Sequence, residues 1–187
     1  MEKGPMTLRE LKRYIRSDLR YVNGHPYRAF FSRFFFEPGF KYCFWLRCTR
    51  FFFLKGKLAI IPFVICRMIL KHYGYKYSFD ISFQAQIGAG LTIAHYGYII
   101  VPSNAVMGEG CTLRPGVVFG KKLTSSTGGA SVGSNVDFGV GTTIIGDVRI
   151  GNNVVVGANS VVTKDIPDGS VIAGSPARII RSLDEEH

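Results

Sequence analysis

Long apolar runs are missing from this sequence of 187 residues. The longest uninterrupted one, residues 58–66, is nine residues and contains Pro62. A helix that crosses a bilayer needs about 20, so no span is expected. The first 25 residues are charged and hold no apolar stretch, so no secretory leader is expected either. Cysteine is sparse and unpatterned. Cys43 and Cys48 are five apart, Cys66 and Cys111 stand alone, and no histidine cluster completes a zinc site. Four reduced, buried thiols in a cytosolic protein are the expectation, with no metal. Of 4 histidines, His95 alone falls between residues 79 and 181. One histidine per chain is too few for a zinc enzyme unless three chains converge. Acidic residues are scarce early. Residues 1–78 carry 16 Lys/Arg against 4 Asp/Glu, a net of +12, and 19 of the 25 aromatics; residues 79–187 carry 7 against 9. No nucleic-acid motif accompanies the basic charge, so no nucleic-acid partner is expected.

What the second part does have is a period of six. Ile81, Ile87, Ile93, Ile99, Ala105, Cys111 and Val117 mark it first, and Val132, Phe138, Ile144, Ile150, Val156 and Val162 resume it. Five of these are followed directly by glycine (Gly88, Gly133, Gly139, Gly151, Gly157). A period of six is neither helical nor that of a simple strand. It predicts a chain that turns a corner every six residues and stacks coil on coil, eighteen residues per coil, about 4.8 Å apart. Val117 and Val132 are fifteen apart, which predicts a loop thrown out over residues 120–129, of the exposed kind that often carries function.

The first 78 residues read as helices. Thr7-Leu8-Arg9-Glu10 is a capping box, and Leu8, Leu11, Ile15 and Leu19 follow at helical spacing, predicting a helix over residues 8–20 that Asn23-Gly24-His25-Pro26 stops. Further helices are predicted over 27–35, 40–53 and 58–73, the last apolar nearly all round and so either the most buried or packed on another subunit. The basic, aromatic helices suit a packing and oligomerisation domain with a solvated basic rim, or a surface resting on an anionic membrane with Phe and Trp in the headgroups. The chain divides into residues 1–78 (helical), 79–181 (coil) and 182–187, a tail ending Asp184-Glu185-Glu186-His187.

The hexads, with the closing Ala173-Gly174-Ser175-Pro176-Ala177-Arg178 segment, resemble the hexapeptide-repeat acyltransferases. The resemblance covers residues 79–181 and implies a mainly β fold, a left-handed parallel β-helix. The likeness is to serine O-acetyltransferases and to polysaccharide O-acetyltransferases of the colanic acid type. Asp80-Ile81 opens the coil as the family's catalytic aspartate does. His95 lies fifteen residues later, at the spacing of the catalytic histidine, and Gly120 lies twenty-five beyond that, where the family turns its active-site loop. Pro38-Gly39-Phe40 and Trp45-Leu46-Arg47 resemble the helical segment that precedes the coil in serine acetyltransferases. The departures fall on the acceptor side. Ala94 replaces the aspartate usual before the histidine, Ser82-Phe83 replaces a His-Pro, and the loop over 121–129 has no Arg-His pair. These losses favour a neutral hydroxyl acceptor such as a sugar over L-serine.

The resemblance implies acetyl transfer from acetyl-CoA to a hydroxyl. His95 suits the general base, with an unperturbed pKa of about 6.5. Asp80 would support its imidazolium, and a backbone N–H at Gly120 would donate to the oxyanion. An eighteen-residue coil puts Asp80 below residue 98, so the pair needs reach around a corner or an Asp80 from a neighbouring subunit. Lys164, Arg178 and Arg181 suit the phosphates of coenzyme A. The resemblance adds Thr163 and the backbone of Val140 and Ala158. It further implies a homotrimer or a dimer of trimers with sites between subunits. The expected setting is cytoplasmic, or peripheral on the inner face of the cell membrane. A serine acetyltransferase, and a non-catalytic or metal-dependent β-helix, are the alternatives.

Overall fold

A computed structural model describes residues 7–19, 26–121 and 129–183. The helix stop at Asn23-Gly24-His25, most of the 121–129 loop and the tail from Asp184 lie outside these residues. Four helices come first: α1 Leu8–Asp18, α2 Pro26–Phe36, α3 Pro38–Leu54 and, after a 3-10 turn Gly56–Ala59, α4 Ile60–Tyr77. The capping box forms at Thr7. Its hydroxyl accepts the Glu10 N–H at 3.2 Å, and Glu10 accepts the Thr7 N–H at 2.8 Å. α2 ends at Phe36, before Pro38, and Pro38 itself opens α3, two residues earlier than the predicted start at residue 40, because the first helical position needs no N–H.

Fifteen short strands follow: β1 Phe79–Ile81, β2 Gln86–Ile87, β3 Thr92–Ile93, β4 Ile99–Val101, β5 Val106–Met107, β6 Thr112–Leu113, β7 Val118–Gly120, β8 Ser131–Val132, β9 Asp137–Phe138, β10 Thr143–Ile145, β11 Arg149–Ile150, β12 Val155–Val156, β13 Val161–Val162, β14 Ser170–Gly174 and β15 Ala177–Ser182. Every third strand joins the same sheet: β1-β4-β7-β10-β13, β2-β5-β8-β11, and β3-β6-β9-β12-β14-β15. All pairings are parallel except the closing β14–β15 hairpin. This is the three-sided coil that the six-residue period predicts.

The coil is not uniformly eighteen residues, and the phase of the repeat is corrected accordingly. Phe79 pairs with Ile99, twenty residues on (99 − 79), whereas Thr143 pairs with Val161, eighteen on (161 − 143). The large inward row of the first sheet is therefore Ile81, Val101, Phe119, Ile144 and Val162. Ile99, Ala105, Cys111 and Val117 are buried as well, but in a second inward row that small residues can also fill, such as Thr142 and Ser160. The two extra residues sit in the corner between Ile93 and Ile99, which holds His95. Asp80 therefore stacks beside Ile100, not residue 98. Val118 pairs with Thr143, twenty-five on (143 − 118), so the spacing across Gly120 and Ser131 is seven residues longer than an eighteen-residue coil.

Helices and coil share one core. Tyr42, Cys43 and Leu46 of α3 and Leu70 of α4 pack into the same buried cluster as Phe79, Ile81, Leu91 and Ile93. The Tyr42 hydroxyl donates to the Ile81 carbonyl at 3.2 Å. Beneath α1, the Arg47 guanidinium grips Asp18 through Nε (2.8 Å) and Nη2 (3.0 Å), and donates to the carbonyls of Ile87 (2.7 Å) and Gly88 (2.6 Å). Asp18 in turn accepts the N–H groups of Gly90 and Leu91. Arg47 is thus buried within the fold, not part of a solvated rim. Burial alone would weaken its charge, but Asp18 outweighs that and strengthens it.

α4 is not the most buried helix, which corrects the first of its two readings. Only Cys66, Leu70 and Gly74 are buried, while Ile61 is 72% and Met68 69% exposed. The helix lies on α3 and β1 with one face and presents an apolar face outward. Taken with the preceding turn, Gly56–Tyr77 is long and apolar enough to cross a membrane by length and composition, despite its short uninterrupted run. All four cysteines are free and buried, as expected.

Candidate active site

The corner from the third sheet to the first repeats up the coil. Stacked N–H to carbonyl contacts run Gly97 to Tyr77, Gly116 to Tyr98, Gly141 to Pro115 and Asn159 to Val140. Gly116, Gly141 and Asn159 take left-handed φ values of 83°, 73° and 55°, a conformation natural to Gly and tolerated by Asn. In the longer first-coil corner, positive φ occurs at two residues, His95 at 68° and Gly97 at 149°. A histidine here costs backbone energy that a glycine would not, and such outliers point toward function. The two-residue insertion throws the corner outward, and His95, Tyr96 and Tyr98 are all exposed.

Asp80 is the outward-facing middle residue of β1, exposed and paired in register with Ile100. The side chains of His95 and Asp80 make no hydrogen bond or ion pair with any described residue, and so none with each other. Gly120 ends β7; the turn comes after it. Its carbonyl accepts the Gly146 N–H at 3.0 Å, and its register with Ile145 directs its own N–H into the same ladder.

The other predicted residues fall on two margins of the first sheet. Val140 and Ala158 stack on the His95 corner, both exposed. Thr163 and Lys164 follow β13 on the opposite margin, the one that Gly120 and Lys121 occupy. Arg178 and Arg181 stand on β15, opposite Ala173 and Val171. The margins are separated by a three-residue strand, about 10 Å at ~3.3 Å per residue. One chain therefore brings His95, Val140 and Ala158 to one edge, and Gly120, Thr163 and Lys164 to the other. Among the described residues, no three His, Cys, Asp or Glu side chains converge as metal ligands would.

Sequence reasoning missed a groove. An open cleft of about 750 Å³ runs between α4 and the outward face of β1, and Asp80 lines it with Arg67, Lys71, Tyr75, Phe83 and Tyr98. Tyr42 closes its floor. Burial pushes that phenol well above its ordinary value, and the hydrogen bond to Ile81 offsets this only in part, so it stays protonated. The signal was present as Arg67, Lys71 and Tyr75 at i, i+4 and i+8 on one helical face. The apolar remainder of α4 concealed it.

The stacked hexads and the terminal hairpin define the fold: a left-handed parallel β-helix of six-residue repeats with helices at its N-terminal end. In sequence the chain is similar to serine acetyltransferases and to WcaB. It is 35% identical over 112 residues to serine acetyltransferase 2 of Arabidopsis thaliana, covering 59% of this chain and 34% of the relative. It is 36% identical over 104 residues to an Escherichia coli protein assigned as the colanic acid biosynthesis acetyltransferase WcaB, covering 55% and 64%. The matches thus span less than two thirds of these relatives' own lengths. Among solved structures, soybean serine acetyltransferase complexed with serine superposes with a TM-score of 0.76 at 25% identity, covering 91% of this chain and 69% of that one. Serine acetyltransferase of Brucella abortus in complex with coenzyme A gives 0.78 at 24%, covering 94% and 69%, and speaks for the fold. No protein-family model matches the chain.

Proposed function

We propose that this chain is an acetyl-CoA-dependent O-acetyltransferase whose acceptor is a hydroxyl of a sugar or of a capsule, exopolysaccharide or O-antigen precursor. The observation that carries this reading is His95, exposed at an outward corner in a conformation that the higher coils give to Gly or Asn. His95 takes the acceptor's proton as the hydroxyl oxygen attacks the thioester carbonyl. The C–O ester bond forms, the C–S bond breaks, and the proton passes to the leaving sulfur. Asp80 supports the imidazolium, and a backbone N–H beside Gly120 donates to the tetrahedral oxyanion. Acetyl-CoA lies along the coil past Val140 and Ala158, with Thr163, Lys164, Arg178 and Arg181 meeting its phosphates. The exposed corner column and the exposed Lys164 and Arg178 suit an extended ligand with an anionic end.

The two margins support a homo-oligomer, a trimer or a pair of trimers. In it the His95 margin of one subunit faces the Gly120 margin of the next, and the separation found within one chain closes. The exposed face formed by Leu58 of the 3-10 turn and by Ile61, Ile65 and Met68 of α4, rimmed by Lys55 and Lys57 on a segment of net charge +12, suits an anionic membrane surface rather than another equally basic copy.

L-Serine is the second acceptor reading, favoured by the serine-bound soybean structure, which matches nearly the whole chain. Ala94 and the absence of an Arg-His pair over residues 121–129 weigh against it. A screen with acetyl-CoA, reading free thiol across serine, monosaccharides, nucleotide sugars and lipid-linked glycans, decides between them. A glycan is expected to turn over fastest, with His95→Ala lowering that rate about 10²–10⁴-fold. Serine turnover at a comparable rate overturns the acceptor, and an active His95→Ala overturns the base.

A further inference from the structure

The groove beside Asp80 carries more cation than the chemistry of acetyl transfer asks for. Arg67 and Lys71 stand on its α4 wall, one turn apart and both exposed. Neither forms an ion pair with a described carboxylate. Each lies instead along an aromatic face, Arg67 5.2 Å from the Phe83 ring centroid and Lys71 5.4 Å from that of Tyr75. Such contacts steady a cation without neutralising it. Across the groove, Asp80 is the one carboxylate in the lining, which leaves an excess of one positive charge. Tyr75 and Tyr98, 75% and 57% exposed, offer ring surface and hydroxyls beside these charges. Aromatic walls with a few convergent charges are the make-up of a small-ligand site. Arg67 supplies the planar fork that matches an oxyanion, and Lys71 a point charge beside it.

We propose that the acceptor is an anionic glycan whose carboxylate or phosphate is held by Arg67 and Lys71 in this groove, beside Asp80. The proposal rests on the acyl-transfer reading above and sharpens it, since the sequence departures alone favoured a neutral sugar. The test uses the full-length chain with three probes: glucuronate, glucose 1-phosphate and glucose. Binding is read by ligand-observed NMR, independently of turnover, and thiol release from acetyl-CoA is read in parallel. At least one anionic sugar is expected to bind ten-fold or more tightly than glucose. Which one does distinguishes a uronic acid from a sugar phosphate as the source of the charge. Arg67→Ala/Lys71→Ala should reduce that binding to the level of glucose, Arg67→Lys should restore part of it, and acetyl-CoA affinity should not change. Glucose binding as tightly as both anions, or the double variant binding like wild type, overturns the proposal. His95→Ala should bind the anionic sugar normally and fail to acetylate it. Retained turnover in that variant would overturn His95 as the base, and no thiol release by the wild-type chain with any of these sugars or with serine would overturn the acyl-transfer reading, while the anion site would stand on its binding data.

Discussion

His95 is placed by backbone geometry more than by its side-chain neighbours. Its left-handed φ and the two added corner residues turn it out of the coil and leave it exposed. The cysteines are the opposite case. Cys48 is buried, and burial raises its thiol to about 12, against about 8.5 in an unfolded chain. A raised value means that the folded state keeps the proton longer. The stabilisation is fully present below pH ~8.5 and is lost progressively as pH climbs from there towards 12. Melting temperature under reducing conditions should therefore fall from about pH 8.5 to 10, and Cys48→Ala should flatten that slope. An unchanged slope in the variant would assign the fall to other groups; Cys43, more deeply buried, is shifted in the same direction.

At the scale of elements, the Asp18–Arg47 pair bolts α1 and α3 to the first coil. Removing one partner of such a buried pair leaves a desolvated charge and orphaned N–H groups. Asp18→Ala should cost about 3–5 kcal/mol. Glu37→Ala, which breaks only the half-exposed Arg33–Glu37 pair, 3.0 Å apart in an i,i+4 arrangement, should cost no more than ~0.5 kcal/mol. Urea denaturation of the two variants side by side checks the contrast, and equal losses would contradict it. The capping box, the four helices and the thirteen coil strands up to Val162 were legible because each rests on a local pattern. The Asp18–Arg47 bond was not, since twenty-nine residues separate partners whose types are common on any solvated helix. The second coil was misphased for a related reason. Ile99, Ala105, Cys111 and Val117 are apolar and buried, so they continued the count across the longer His95 corner. Only the strand register shows that Val101, Met107, Leu113 and Phe119 carry the main row.

For the whole molecule, the unevenness of charge becomes a polarity of shape, with basic helices at one end of the coil and the hairpin at the other. Some of the early aromatics are used internally. Phe30 and Phe34 of α2 pack on Phe40 and Phe44 of α3 with ring centroids 5.1–5.9 Å apart, and Trp45 packs against the core. Those side chains do not reach a bilayer. The apolar surface left over is on α4 and at Phe31, Phe35 and Phe36. Co-sedimentation with phosphatidylglycerol-containing vesicles should show binding that weakens as salt rises, and Ile61→Glu/Ile65→Glu should abolish it. Binding that ignores both salt and lipid charge would remove the electrostatic basis of this contact, and a loss of oligomer in the same variant would give α4 to a second copy instead.

By itself the sequence determined the coil. One apolar side chain every six residues fits a stacked coil and neither a helix nor a simple strand, and Asp80, His95 and Gly120, at spacings that resemble the hexapeptide-repeat acyltransferases, pointed to the chemistry proposed above. The tertiary structure decided where those residues lie relative to one another. The insertion at the His95 corner moves Asp80 beside Ile100, and Gly120 lies on the far margin of the same sheet. The coil alone could not specify the groove, because its walls come from a helix and a strand that pack by shape. There Arg67 and Lys71, ordinary charges in the sequence, become an unbalanced pair facing Asp80.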